Sequence, residues 1–528
     1  MADGRTFDVI VYGATGFTGR LVAEHMLATY GVGRDVRWAM AGRGKAKLEQ
    51  VRSEIGAPSE LPLVIADASD AASVTAMAKA AKVVITTVGP YQLYGEPLVA
   101  ACAEAGTDYV DLCGEPAWMA AMIAKYDARA KTSGARIVFS CGFDSIPFEA
   151  GVAFIQAEAQ ARLGAPLKRV RGRVRKMKGG FSGGTVASLM ATLEASKRDP
   201  SLLKTLADPF ALTPGFKGPQ QPGGERVERD DAAGQWATPF IMAMINTKNV
   251  HRSNYLLGHA WGKDFVYDEL LLTGDGEAGE KRARAAKRQG DIQQTLLGFG
   301  PTRALLRRFA LPKPGEGPTK HERETGFYEV GFSGETADGR TLRASVKGEK
   351  DPGYGSTSKM IAESAMCLAR DLGREETGGG VWVPGAAMGG EAHCAAGATR
   401  RHAVHPGELR PCGMQRRQLS VMESRRPVRN ATLRHSTLLY ARPRPGPNST
   451  WRSRGDRRTV VPGCLSQPQF PVVLPVKKVA EFPMAVAEPT MYPAPPAVTR
   501  PVATMWPPLF CEAAPVSAAS PHCEQTCP

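Results

Sequence analysis

The stretch that most constrains the fold is TFDVIVYGATGFTG, near the start of the chain. Its β-branched and aromatic run Val9–Tyr12 predicts a short strand, and the segment Arg20–Thr29 predicts a helix. Between them, Gly13 permits a sharp turn and Gly16 lets backbone N–H groups approach a phosphate, while Gly19 lets the helix pack closely on the strand. A strand, a glycine turn and a helix N-terminus in this order predict a site for the pyrophosphate of a dinucleotide.

The glycine spacing is GxxGxxG rather than GxGxxG. A glycine triplet alone is a weak signal, and an ordinary glycine-rich turn is the alternative. The strand before it and the helix after it favour the nucleotide-binding interpretation. The predicted cofactor-binding residues of this turn are Gly13, Thr15, Gly16, Phe17, Thr18 and Gly19.

Strand and helix patterns then alternate as far as a sixth strand at Arg136–Ser140. Such alternation is typical of a parallel sheet that is covered by helices on both faces. The sequence therefore predicts an α/β fold with a Rossmann-type, doubly wound parallel sheet. Ligands of such sheets bind at the carboxyl ends of the strands, so the loops at those ends are the candidates for function.

Further predicted cofactor contacts follow the strands in turn. Arg43 follows strand two, where domains that bind NAD usually carry an acidic residue, and it suits a 2′-phosphate. A solvated surface arginine is the alternative, but we favour NADP(H). Asp67 follows strand three and is placed for the adenine edge, or else is an exposed turn aspartate. The other predicted cofactor-binding residues of these loops are Gly89, Pro90 and Cys141.

The predicted catalytic residues are Tyr91, Asp144 and Ser145. A tyrosine hydroxyl in the loop after strand four can donate a proton, although Tyr91 has a packing aromatic as its alternative. Asp144 and Ser145 lie in SCGFDSIP, where they can cap the next helix and also line the nicotinamide site, although Asp144 has a cap alone as its alternative. Cys141 is not predicted as a nucleophile, since no histidine lies in this stretch to activate it.

The pattern changes after Leu167. Val170–Met177 predicts a strand, and the glycine cluster Gly179–Thr185 predicts either a loop on the substrate side or a flexible turn. Two runs that flank Asp338–Gly339 predict a hairpin. Gln293–Leu311 is basic and amphipathic, which suits a membrane surface or an acyl chain, although a core face is the commoner meaning of such a pattern.

Composition limits the remaining classes of function. The net charge of +15 is concentrated in residues 389–528, which carry 18 Lys+Arg against 8 Asp+Glu, so it gives little support for a nucleic-acid partner. No apolar run is long enough to span a membrane, and MADGRTFD lacks the apolar core of a secretory signal. We therefore expect a cytoplasmic protein with free buried thiols and no metal site.

Several longer motifs carry a family resemblance: GATGFTGRLVAE, VGPYQLYGEPLVAACAEAGTDYVDLCGE, SCGFDSIP and SGGTVAS. Over residues 5–389 the chain resembles the saccharopine dehydrogenase-like oxidoreductases, and within them the bacterial trans-acting enoyl reductase branch. The resemblance implies NADP(H) chemistry and a smaller mixed-sheet α/β substrate domain. It divides the chain into a Rossmann domain (1–150), a substrate domain (151–350), a helix returning to the first domain (351–389) and a tail (390–528).

The tail differs in composition from the rest. Residues 389–528 hold 21 of the 40 prolines and clustered arginines, so we expect low order there. Members of the family finish soon after a segment like Gly378–Gly389. We interpret the change as a frameshift or a misjoined gene model, with a genuine basic interaction tail as the alternative.

The resemblance implies a reductase of enoyl or related lipid- and polyketide-type substrates, small or linked to an acyl carrier. Two alternatives stay open: a dehydrogenase of an amino-acid-derived substrate, and a nucleotide-binding, lipid-associated protein without turnover. Because some relatives associate with membranes or lipid droplets, the resemblance also implies peripheral association with such a surface as an option for this chain. A homodimer is compatible with the sequence, which does not define the oligomeric state.

Overall fold

The computed structural model of the protein describes residues 4–180, 183–302, 315–388 and 419–423, and these residues form two seven-stranded sheets. The elements of the first half are β1 (Phe7–Tyr12), α1 (Phe17–Tyr30), β2 (Trp38–Gly42), α2 (Lys45–Glu54), β3 (Leu63–Ile65), α3 (Ala71–Ala80), β4 (Ala81–Thr86), α4 (Tyr91–Tyr94), α5 (Glu96–Ala105), β5 (Asp108–Val110), α6 (Pro116–Ser133), β6 (Arg136–Val138) and α7 (Ile146–Leu163).

The second half begins at β7, and its elements complete both sheets. They are β7 (Leu167–Lys178), α8 (Gly183–Arg198), α9 (Ser201–Ala207), β8 (Glu228–Asp230), β9 (Gln235–Pro239), α10 (Ala243–Leu256), β10 (Val266–Gly274), α11 (Gly276–Gly298), α12 (Lys320–Thr325), β11 (Phe327–Thr336), β12 (Thr341–Gly348), α13 (Thr357–Met366), β13 (Gly380–Trp382), α14 (Pro384–Ala387) and β14 (Leu419–Glu423). Two short π-helical turns, Pro352–Ser356 and Cys367–Asp371, flank α13.

The first sheet is parallel throughout, with the strand order β13-β6-β5-β4-β1-β2-β3. Val9, Ile10 and Val11 of β1 are fully buried because helices cover both faces. The chain reverses its winding direction between β1 and β4, which is the switch point at which such sheets bind ligands. The predicted doubly wound sheet is confirmed.

The second sheet is mixed, with the order β14-β12-β11-β7-β10-β9-β8. β7 pairs parallel with β10 and antiparallel with β11. The inner face of the second sheet packs on α7. A Cβ on Gly151 of α7 would lie 2.3 Å from the ring of Phe332 in β11. This close contact brings the helix that follows the predicted Asp144 loop directly against the second sheet, and the predicted mixed-sheet unit is confirmed.

The chain then returns to the first sheet. The returning helix expected within residues 351–389 is α13, which is followed by the second π-helical turn. After it, β13 pairs with β6 through Gly380 opposite Arg136, a strand that the sequence pattern did not predict. Three residues are too few to show a period.

The predicted amphipathic segment is described only in part. α11 ends at Gly298, and Leu297 packs with Val186 and Met190 of α8, while residues 303–314 lie outside the described part. Of the predicted tail, only Leu419–Glu423 is described, as the strand β14 beside β12. Among the helices described, none has the length and apolar character needed to cross a membrane.

Candidate active site

The glycine turn after β1 has the shape that a dinucleotide needs. Gly13 has a φ of +87°, and a Cβ on Gly19 would lie 2.1 Å from the Gly13 carbonyl oxygen. No other residue fits at Gly19 without moving backbone, so α1 is held against β1 at minimum distance. Because α1 packs this closely on β1, the N-terminus of α1 lies at the switch point of the sheet between β1 and β4.

The start of α1 is left open to an anion. Gly16 is the N-cap, and no side chain caps the helix. The backbone N–H groups of Phe17, Thr18 and Gly19 therefore lack helical acceptors, and the helix dipole adds a partial positive charge. These features fit a bound pyrophosphate.

Arg43 and Asp67 come close together around Tyr12 at the ends of β1, β2 and β3. Burial raises the pKa of the Tyr12 hydroxyl to about 12, and the Asp67 charge adds to this shift while Arg43 opposes it. The Asp67 carboxylate accepts bonds from the backbone N–H and the hydroxyl of Ser69, which lower its pKa. Arg43 is exposed and makes no ion pair within the described residues, so its charge is available to a ligand.

Tyr91 is enclosed by the protein. It is 5% exposed, and its hydroxyl donates to the Thr86 carbonyl at 3.2 Å and accepts from the Leu112 N–H at 3.1 Å. Burial raises the pKa of the Tyr91 hydroxyl well above that of an exposed tyrosine. Glu115 accepts bonds from the backbone N–H groups of Tyr91 and Gln92 and so fixes the loop that carries Gly89 and Pro90. This geometry supports the packing alternative for Tyr91, and its catalytic role stays a prediction.

Asp144 lies in the loop between β6 and α7. No hydrogen-bond partner of its carboxyl is found within the described residues, and burial raises its pKa to about 6. It is not the N-cap of α7, so the capping alternative for Asp144 is wrong. Ser145 occupies the N-cap position, but its side chain makes no bond to the N–H groups of the helix.

Ser145 and Cys141 face the interior. The Ser145 hydroxyl donates to Glu149 and accepts from the Asn249 amide at 2.7 Å. Cys141 is fully buried, and burial raises its thiol pKa. Both side chains are buried and support the loop from the protein interior. Their direct contact with a ligand stays a prediction.

Asp111 fixes the relative position of the loops after β5 and β6. Its carboxylate accepts from the backbone N–H groups of Ser140 and Cys113 at 2.8 and 2.9 Å and from the Tyr109 hydroxyl at 2.9 Å. Burial outweighs these bonds and raises its pKa to about 7. Sequence reasoning missed this residue, because nothing in the pattern marks a loop carboxyl as structural.

The opposite wall of the site comes from the second half of the chain. α8 lies across the β4 loop: the Thr192 hydroxyl accepts from the Gln92 amide at 3.1 Å, and a Cβ on Gly89 would lie 3.6 Å from the Ser188 hydroxyl. The Thr185 hydroxyl lies 2.9 Å from that of Tyr354. Sequence reasoning predicted the glycine cluster Gly179–Thr185 as a loop on the substrate side or a flexible turn, whereas α8 begins within it at Gly183. The hydroxyl residues of α8 were missed.

The described residues contain no group of three or more His, Cys, Asp or Glu arranged to hold a metal ion. Their cysteines, Cys102, Cys113, Cys141 and Cys367, are free and buried. The chemistry that the described site offers is therefore an anion-binding turn, a free carboxyl and a wall of hydroxyl groups.

Comparison with known proteins extends this description. The model of the saccharopine dehydrogenase NADP binding domain matches residues 9–138. The Mycobacterium tuberculosis protein Rv2449c is 40% identical over 403 residues, which cover 74% of this chain and 94% of that protein. The trans-acting enoyl reductases of Mycobacterium ulcerans and Mycobacterium bovis are each 38% identical, over 73% of this chain and 94% of each relative.

Among solved structures, saccharopine dehydrogenase (L-Glu forming) from Saccharomyces cerevisiae aligns with a TM-score of 0.40 at 12% identity, over 72% of this chain and 94% of that chain. The alignments with the mycobacterial relatives extend well beyond the nucleotide-binding half, so both halves of the chain share their ancestry.

Proposed function

Because this chain belongs to the saccharopine dehydrogenase-like family that includes the trans-acting enoyl reductases, we propose that it is an NADPH-dependent reductase of enoyl thioesters. The chain is an NADP-binding oxidoreductase. The narrower substrate class rests on one observation, the 38–40% identity to those relatives across 94% of their length.

Reduction of an enoyl thioester adds a hydride at the β-carbon and a proton at the α-carbon, which converts the C=C bond to a single bond. NADPH, when bound, supplies the hydride. The α1 turn holds its pyrophosphate, and Arg43 selects its 2′-phosphate over the hydroxyl of NADH.

Asp144 donates the proton in this proposal. An acid is most effective when its pKa lies near the working pH, and burial brings the Asp144 pKa to about 6. With no protein partner among the described residues, its proton is free to move to a substrate carbon. The hydroxyls of Tyr91 and Ser145 are committed to protein groups, so they support the loops that position Asp144.

The hydroxyl wall of α8 encloses the reaction. Thr185, Ser188 and Thr192 recur at three- and four-residue spacings and therefore share one face of the helix. That face contacts the β4 loop and covers this side of the site. The Thr192 hydroxyl is committed, because it donates to the Ser188 carbonyl at 3.0 Å and accepts from Gln92, so the Ser188 hydroxyl is the group offered to the polar atoms of a thioester arm.

The proposal is tested by NADPH oxidation, followed by absorbance, with enoyl thioesters of increasing chain length and with a matched panel of 2-keto acids plus ammonium. We expect turnover on the enoyl panel. Asp144→Asn is expected to lower kcat by about a hundredfold or more while NADPH affinity stays within about twofold. Asn249→Ala, which removes a buried bond to Ser145, is the control for loop damage.

Turnover on keto acids with none on enoyl thioesters would establish the amino-acid-type alternative instead. Tight NADPH binding without turnover on either panel would establish a binding protein. An Asp144→Asn variant with unchanged kcat would remove Asp144 from the chemistry.

A further inference from the structure

The glycine turn is covered by residues from far along the chain. The ring of Phe17 meets the ring of Tyr354 edge-on, with centroids 5.2 Å apart and planes at 80°. The guanidinium carbon of Arg323 lies 5.5 Å from the Phe17 ring centroid. A Cβ on Gly317 would lie 2.5 Å from the same ring, so the segment that leads into α12 passes directly over Phe17.

The position of Arg323 is well defined. α12 begins with a capping box in which Thr319 and Glu322 bond each other's backbone N–H groups. The Arg323 carbonyl accepts from the Asp351 N–H at 3.0 Å, and its Nη1 donates to the Pro318 carbonyl at 2.6 Å. The guanidinium is thus held on the ring face by bonds at both ends of the residue.

The charge of Arg323 is not paired in direct contact within the described part of the chain. No carboxylate there forms an ion pair with it, although its charge acts on the Asp351 carboxyl and opposes the rise in pKa that burial causes there. The nearby Asp351 carboxylate accepts from the backbone N–H groups of Tyr354 and Gly355 at 2.9 and 2.7 Å. Glu322 is engaged in the capping box. A half-buried cation with one neutral acceptor retains donors for an external anion.

The turn itself lacks a positive side chain, since GATGFTG contains neither Lys nor Arg. A pyrophosphate carries two negative charges, whereas a helix N-terminus provides roughly half a positive charge. A guanidinium beside Phe17 supplies the missing charge, and its planar fork matches two phosphate oxygens.

We propose that Arg323, from the second half of the chain, is a ligand of the cofactor pyrophosphate and completes the NADP(H) site from outside the nucleotide-binding domain. Phe17 is the platform on which its guanidinium rests. Tyr354 is a positioning residue, because its ring fixes Phe17 and its hydroxyl meets Thr185 of α8. The cofactor-binding turn is thereby connected to α8, which carries the hydroxyl wall, through the contact between the rings of Phe17 and Tyr354.

The proposal rests on NADP(H) binding and is tested by binding, without turnover. Titrations of the full chain and three variants, Arg323→Gln, Arg43→Gln and Lys320→Gln, use NADPH, NADH and adenosine 2′-monophosphate. Arg323→Gln is expected to weaken NADPH and NADH alike, by about tenfold or more, because both carry the pyrophosphate. Adenosine 2′-monophosphate lacks it and should bind as before.

The other two variants separate local from general charge effects. Arg43→Gln should weaken NADPH and adenosine 2′-monophosphate but leave NADH unchanged. Lys320→Gln removes an exposed positive charge from the same helix and should change no affinity by more than about twofold. Arg323→Lys keeps the charge without the fork and should recover part of the loss.

Unchanged dinucleotide affinity in Arg323→Gln would overturn the proposal while leaving NADP(H) binding intact. An equal loss for adenosine 2′-monophosphate would also overturn it, because damage to the whole site would then explain the effect. If the unaltered chain bound no dinucleotide, the proposed function would fail together with this inference. Thermal unfolding of each variant by circular dichroism identifies a folding defect.

Discussion

At the scale of single residues, Asp144 combines a functional role with a cost in stability. Burial raises its folded-state pKa to about 6, above the value of about 3.9 for an exposed aspartate. The folded state therefore binds the proton more tightly than the unfolded state does. The stability linked to this group is complete below about pH 4 and is lost as the pH rises through about 6.

Two measurements follow from this shift. The kcat for enoyl reduction should fall as the pH rises above about 6, since the acid form is lost, and the profile of Asp144→Asn should be flat in that range. Urea unfolding at pH 8 should show the same variant to be more stable than the unaltered chain by about 1–2 kcal/mol. If Asp144→Asn were less stable than the unaltered chain at pH 8, the view that the buried Asp144 charge destabilises the folded state would be contradicted.

At the scale of elements, the contact of α1 with β1 limits what the glycine turn accepts. A Cβ on Gly19 would lie 2.1 Å from the Gly13 oxygen and 2.8 Å from the Thr87 hydroxyl. Gly19→Ala should therefore lower the free energy of unfolding by about 3 kcal/mol and abolish NADPH binding. Urea unfolding and NADPH titration check both effects.

Gly290 provides the matched control for that substitution. It lies within α11 and would bring a Cβ into open space. Gly290→Ala should leave NADPH affinity unchanged and stabilise the chain by about 0.5–1 kcal/mol, because alanine restricts the unfolded chain. A tolerated Gly19→Ala would show that the turn relaxes more easily than its geometry indicates.

The sequence predicted six of the seven strands of the first sheet, because most of them are short apolar runs that end in a loop with glycine or proline. The turn around Gly13 and the loop of Asp144 were found for the same reason. Arg323 and Tyr354 were not found, because their proximity to Phe17 arises from tertiary packing of segments that are far apart in the chain. The periodicity of apolar residues within a short stretch of sequence contains no information about contacts between distant parts of the chain.

At the scale of the whole molecule, a buried ion pair joins the returning segment to the first sheet. Arg136 bonds Asp108, and the two side chains are 3% and 2% exposed. The same guanidinium donates to the carbonyls of Leu368 and Leu372 after α13. One side chain thus connects β5, β6 and the end of the returning helix.

Arg136→Met should lower the free energy of unfolding by about 3 kcal/mol, because it leaves the Asp108 charge buried without its main partner. The double variant Asp108→Asn, Arg136→Met should recover part of the loss in urea unfolding. If the single and double variants were equally unstable, the loss would come from the carbonyl bonds of Leu368 and Leu372 instead.

The late pairing of β13 with β6 has a consequence for synthesis of the protein. Arg136 leaves the ribosome 236 residues before the Leu372 carbonyl that it bonds. At about 5–20 residues per second, that interval is roughly 12–47 s. During this time the outer edge of β6 has no neighbour on that side, so the nascent chain exposes a strand edge that other chains can pair with.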